Sequence, residues 1–254
     1  ANGSPVHFVA LAGTDVIVGS YYGDGTNVRT ITGIGFQPEF VWIYATANSH
    51  TIGKTAKSGT GSDISIYCTT LGTNDGFIKS LDSDGFTVGS KDTASTSTNV
   101  LNGSYWYVAI KNSTTCLTGS YIGDAVDNTH IQTGFAPQYV WVKHEGTTGG
   151  VARWSTEVGD NSITLTSPAN SQGTDKIQAF SGSGFQIGSN ATVNTSGQKY
   201  HWFAVGSAVI TTNTNTIKSD ATIFGSNTNT ILTQSFIASL CQVSLYEKKN
   251  SETL

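Results

Sequence analysis

The stretch Gly33-Ile34-Gly35-Phe36-Gln37-Pro38-Glu39-Phe40-Val41-Trp42-Ile43, GIGFQPEFVWI, decides the fold, because it returns as GFAPQYVWV from Gly134 to Val142. Gly35 can take the positive φ that a tight turn demands, and Pro38 stands where a strand begins, so its missing N–H breaks no ladder. The strand that follows alternates Phe40, Trp42 and Tyr44 on one face with Val41 and Ile43 on the other. In the second copy the same faces read Tyr139, Trp141, Lys143 and Val140, Val142. Apolar side chains on both faces predict a central strand covered on each side.

Working outward, three further blocks recur in the same order. Gly19-Ser20-Tyr21 with Gly23-Asp24 returns as Gly119-Ser120-Tyr121 with Gly123-Asp124. The segment from Gly85 to Ser90 matches that from Gly184 to Ser189, and Tyr105 to Ile110 matches Tyr200 to Val205. Separated blocks recurring in the same order mark a duplication. The expected organisation is an amino-terminal strand or arm over 1–15, one β-sandwich over 16–111, a second over 117–207, and a strand-bearing tail over 208–254. Alternation at His7 to Leu11, Thr230 to Phe236 and Leu240 to Tyr246 predicts extra strands outside the repeats.

Composition agrees with an all-β class. Gly numbers 29 and charged residues only 12% of the 254, a mix suited to short strands and tight polar turns. No segment holds an i, i+3, i+4, i+7 pattern over a dozen residues, so no long helix is expected. We expect two tandem jelly-roll-like or lectin-like sandwiches of about seven or eight strands each. The net charge of −4 gives no cationic surface for phosphate, which argues against nucleic acid. The apolar runs fall far short of the ~20 residues of a membrane-spanning helix, so no membrane partner is expected. ANGSPVHF has no signal-peptide apolar core, and with Met absent Ala1 reads as following a removed initiator Met or a removed leader. Cys68, Cys116 and Cys241 show no metal or disulfide spacing and read as buried thiols.

Motifs for chemistry are thin. There is no G-x-S-x-G, no H-E-x-x-H, no phosphate-binding loop, and His7, His50, His130, His144 and His201 are scattered. Asp82-Ser83-Asp84-Gly85 resembles the opening of a calcium loop, yet the second copy reads Ser181-Gly182-Ser183-Gly184, which favours a plain turn. Asp24 and Asp124 read as Asx-turn residues. Five N-x-S/T sequons occur, at Asn2, Asn102, Asn112, Asn190 and Asn194. No enzyme, cofactor or metal is expected. The candidate ligand-binding residues are Trp42 and Trp141, whose indole faces could stack on sugar rings if exposed. With them go Trp106 and His201, exchanged for one another between copies at a position read as surface-facing.

With these blocks in view, the chain resembles a group of tandem-repeat proteins of tailed phages and their prophages. That group carries SYxGnG, GFxPdfVwiK, a Trp-containing segment, sxdGFtlGs and a closing aromatic strand. Here the blocks begin at Ser20, Gly35, Ser83 and Tyr105, then at Ser120, Gly134, Trp154, Ser183 and Tyr200, over roughly 18 to 206. The resemblance implies a non-enzymatic structural role at the virion surface, as a capsid decoration or tail-associated protein. It implies self-association and contact with other virion proteins. The alternative is an extracellular lectin-like module that binds glycans.

Overall fold

The computed structural model describes residues 14–46, 50–58, 63–68, 72–90, 97–165 and 171–206. The expected strand at 7–11 and those of the tail lie outside these residues, as does Cys241. Within them, each copy forms nine strands in one antiparallel plan. The first copy holds β1 (Val16–Tyr22), β2 (Arg29–Thr32), β3 (Phe40–Ala45), β4 (His50–Thr55), β5 (Ser65–Tyr67), β6 (Thr73–Asn74), β7 (Ile78–Asp82), β8 (Gly85–Val88) and β9 (Ser104–Ile110). The second holds β10 (Cys116–Ile122), β11 (Thr129–Gln132), β12 (Pro137–His144), β13 (Gly150–Trp154), β14 (Ser162–Leu165), β15 (Ser171–Gly173), β16 (Ile177–Ser181), β17 (Gly184–Ile187) and β18 (Lys199–Gly206), with a single helical turn, α1 (Ala191–Asn194), before β18. The count exceeds the expected seven or eight because β6 and β15 are too short to carry a readable alternation.

Each copy is a sandwich of a six-stranded sheet and a three-stranded one. The first sheets run β1-β9-β3-β4-β5-β6 and β2-β8-β7, the second β10-β18-β12-β13-β14-β15 and β11-β17-β16. Val41, Ile43, Tyr107 and Ala109 meet Phe86 and Val88 to form the first interior, and Val140, Val142, Trp202 and Ala204 meet Phe185 and Ile187 to form the second. The opposite faces of the two six-stranded sheets close on each other. Phe40, Trp42 and Val108 from one copy join Tyr139, Trp141 and Phe203 from the other in a third core. The molecule is thus a four-layered all-β block, and β3 and β12 are the doubly covered central strands that their sequence pattern predicts.

Two recurring glycine positions have steric causes. Gly35 and Gly134 sit at φ +82° and +81°, the left-handed turn that only glycine enters without strain. Gly19 pairs across strands with Tyr107 and Gly119 with Trp202. There the aromatic ring lies directly on the glycine backbone: a Cβ at Gly19 would stand 2.4 Å from Tyr107 Oη, and one at Gly119 2.3 Å from Trp202 Cζ2. Cys68 and Cys116 are thiols, not disulfides, buried in the core between the copies, and burial pushes the Cys116 thiol up to about 12. No helix among the described residues is long and apolar enough to cross a membrane.

Candidate functional site

The four residues nominated from sequence all belong to the seam between the copies. Trp42 and Trp141 are 5% and 1% exposed, and their rings meet edge to face at 5.8 Å and 81°. Each also contacts Phe40, and Trp42 stands 5.2 Å from Phe203. An indole enclosed in this way has no open face for a sugar ring. Trp106 is half-buried against the same core. His201, expected at the surface, is wholly buried. The burial has one physical cause: the face that a lone sandwich would show to solvent is covered by the other copy.

His201 anchors a polar network at one flank of this seam. Its Nε2 lies 2.7 Å from Glu145 Oε1 and its Nδ1 3.0 Å from Thr55 Oγ1, on the opposite copy. Thr55 Oγ1 in turn accepts from the Lys57 amide at 3.2 Å and pairs with Ser58 Oγ at 3.2 Å. Lys199 stands 3.7 Å from the same Glu145 oxygen and donates to the Lys57 carbonyl at 2.6 Å, a second link between copies. Burial, aided by Lys199 and Lys143, holds the His201 pKa below its ordinary value against the opposing pull of Glu145. The neutral ring therefore donates from Nε2 to the carboxylate and accepts the Thr55 hydroxyl at Nδ1. Hydroxyl, imidazole and carboxylate stand in the order of a nucleophile, base and orienting acid. Thr55 and His201 are both fully buried, however, so the chain of bonds joins the two copies.

Sequence reasoning missed the buried cations. Lys143 has no exposed surface; it donates to the carbonyls of His144 and Gly146 at 2.5 and 2.7 Å, and burial lowers its pKa to about 8. Lys54 and Arg153 occupy equivalent places, paired with Val41 and Val140 respectively, and are 5% and 6% exposed. Alternation could have flagged all three, since each falls on a strand between buried neighbours.

The acidic positions act as turn residues. Asp24 Oδ1 accepts from the Thr26 amide at 2.9 Å and Asp124 Oδ1 from the Val126 amide at 2.8 Å, the expected Asx turns. Each carboxylate is also clamped by a buried amide across the loop, Asn99 at 2.7 Å and Asn194 at 3.0 Å. These hydrogen bonds, from Thr26 first, lower the Asp24 pKa to about 2. Asp84 accepts from the amides of Gly33 and Gly35 at 3.1 and 2.6 Å, while Asp82 accepts from the Thr87 hydroxyl at 2.7 Å. The D-x-D-G pair is thus divided between two separate structural tasks. Asn194, one of the sequons, is wholly buried and cannot carry a glycan in the folded chain.

The copies differ at one corner. In the second, Arg153 donates to the carbonyls of Asn161 and Gly159, and its guanidinium lies 5.8 Å over the Phe180 ring. In the first, the shorter Lys54 donates to the Ile64 carbonyl at 2.9 Å, and Leu81 takes the place of Phe180, each pairing with the equivalent Phe86 or Phe185. Beside Lys54 lies an open groove of about 710 Å³, lined among others by Gln37, Glu39, Ser58, Asp63 and Lys79.

A protein family described as a domain of unknown function (DUF7483) matches residues 16–118, which take in the whole first repeat and the opening of β10. No curated protein and no solved structure matches the chain.

Proposed function

We propose that this chain is a non-enzymatic structural protein of a virus particle, a capsid decoration or tail-associated component at the virion surface. It assembles through sheet edges, loop tips and terminal arms. The observation that carries the reading is the four-layered block, which encloses the aromatic and imidazole groups of its seam and leaves contact surfaces in duplicate. Tyr22, Val28 and Leu101 on the first copy are 72%, 65% and 63% exposed, and Ile122 and Val126 on the equivalent loop of the second are 60% and 58% exposed. Tyr22 and Ile122 hold equivalent positions at the ends of β1 and β10, and exposed apolar side chains on both copies suit contacts with further copies or other particle proteins.

Electron microscopy of the native source tests this directly. A lattice or fibre containing the protein is the expected result, and a protein found solely as a free monomer would sink the proposal. Attachment to glycans, the second reading, would have to use a surface other than Trp42 and Trp141, because the faces of both indoles are covered.

A further inference from the structure

We propose that the groove beside Lys54 in the first sandwich is a binding site for a neutral oligosaccharide. The assignment rests on the second, glycan-binding reading and does not depend on the structural role. Its first support is the divergence between the copies. A duplicated fold offers the same corner twice, and in the second copy that corner is filled by Arg153 stacked on Phe180 and bonded to backbone carbonyls. In the first copy two smaller residues, Lys54 and Leu81, leave it open as a groove of about 710 Å³.

The second support is the chemistry of the walls. Gln37 offers an amide, Ser80 a hydroxyl, Glu39 and Asp63 offer carboxylates, and Lys54 and Lys79 offer amines. Acceptors and donors are interleaved, and two carboxylates stand against two amines, with Lys79 and Asp63 already 3.6 Å apart. Such a surface has no net charge with which to hold an anionic polymer, and its hydrogen-bonding groups match the vicinal hydroxyls of a sugar. Pro38 and Leu81 supply apolar contact for the C–H faces.

The third support weighs against a peptide added as a strand. The edge strand β7 borders the groove, and an incoming strand would need its outward backbone groups. Three of those groups are occupied: Ser65 Oγ accepts from the Ile78 amide at 2.8 Å and donates to the Ile78 carbonyl at 3.3 Å, and Gln37 Nε2 donates to the Leu81 carbonyl at 2.9 Å. The groove therefore reads side chain to ligand.

The test is a glycan array of neutral, acidic and basic oligosaccharides probed with the full chain, with hits titrated by calorimetry. At least one neutral oligosaccharide should bind. In the double variant Lys54→Arg with Leu81→Phe, which installs the pair that the second copy already packs, affinity should fall at least tenfold while the melting temperature is kept. If that variant fails to fold, Lys79→Ala and Asp63→Ala at the rim take its place, each expected to weaken binding several-fold. An array with no neutral hit, a preference for acidic glycans, or undiminished binding by the folded variants would each overturn the site. A particle lattice seen without glycan binding would overturn this site alone and leave the structural role standing.

Discussion

Trp42 and Trp141 hold the same position in their respective repeats, and they touch each other, edge to face at 5.8 Å. Equivalent residues meet in this way across an isologous interface, where an approximate two-fold axis passes between them. The seam is therefore a pseudo-symmetric dimer interface contained within one chain. Truncating Trp42 or Trp141 to Ala should each cost about 3–5 kcal/mol, the range for a large aromatic removed from a packed core. Because the two share one cavity, the double variant should cost less than the sum. Denaturant unfolding of the three variants measures both effects, and strictly additive losses would contradict the direct contact.

Replacing His201 with Ala should destabilise the chain by about 1–3 kcal/mol, since the buried Thr55 hydroxyl would lose its acceptor while Glu145, part exposed, keeps Lys199. The His201 pKa is depressed in the fold, so between that value and the ordinary 6.5 the unfolded chain holds the extra proton. Stability should fall as pH drops through this window. Glu145, whose pKa is also lowered, chiefly by its hydrogen bond to His201, adds a further loss as pH falls below its ordinary 4.5. Thermal melts from pH 7 to about pH 3 should show both declines, and His201→Phe should remove the upper one.

Lys54 and Lys143 titrate near 8 in the fold against 10.5 when unfolded. Between these values the unfolded state binds more protons, so stability should rise with pH, by about 2–3 kcal/mol per lysine across the whole window. Tyr21 and Tyr121 act in the opposite sense, because burial raises their phenol pKa values and disfavours the fold above pH 10. A stability maximum between pH 9 and 10.5 is expected in a chemical-denaturation series. In Lys143→Met the rise should be roughly halved.

Gly119→Ala places a methyl group against the Trp202 indole and Gly19→Ala places one against the Tyr107 ring. Each should destabilise by about 1–3 kcal/mol, the cost of overpacking a core that cannot yield freely. Ala at Gly182, where a Cβ meets nothing within 4 Å, is the matched control and should change the unfolding midpoint little.

Much of the fold could be read from particular residues. The alternation of Phe40, Trp42 and Val41, Ile43 announced a strand covered on both faces, and the repeated Gly-Phe-x-Pro and Gly-Ser-Tyr blocks marked the duplication. What covered the second face could not be read, because an aromatic stripe buried by a second repeat looks the same as one displayed to a ligand. His201 was placed at the surface for that reason. The kinship of β4 and β13 was hidden as well, because Thr55 and Trp154 share nothing at the sequence level. The corner beside Lys54 depends on the difference between two equivalent cations, and that emerges only once register aligns Lys54 with Arg153.

A true homodimer must place identical residues on both flanks of its two-fold axis, because one gene writes both. Here the flanks have parted: Thr55 meets His201 on one, and their counterparts Trp154 and Trp106 lie on the other. Tethering the halves on one polypeptide lifted that restriction. The two halves are free to differ, and one carries an arginine plug where the other has a groove.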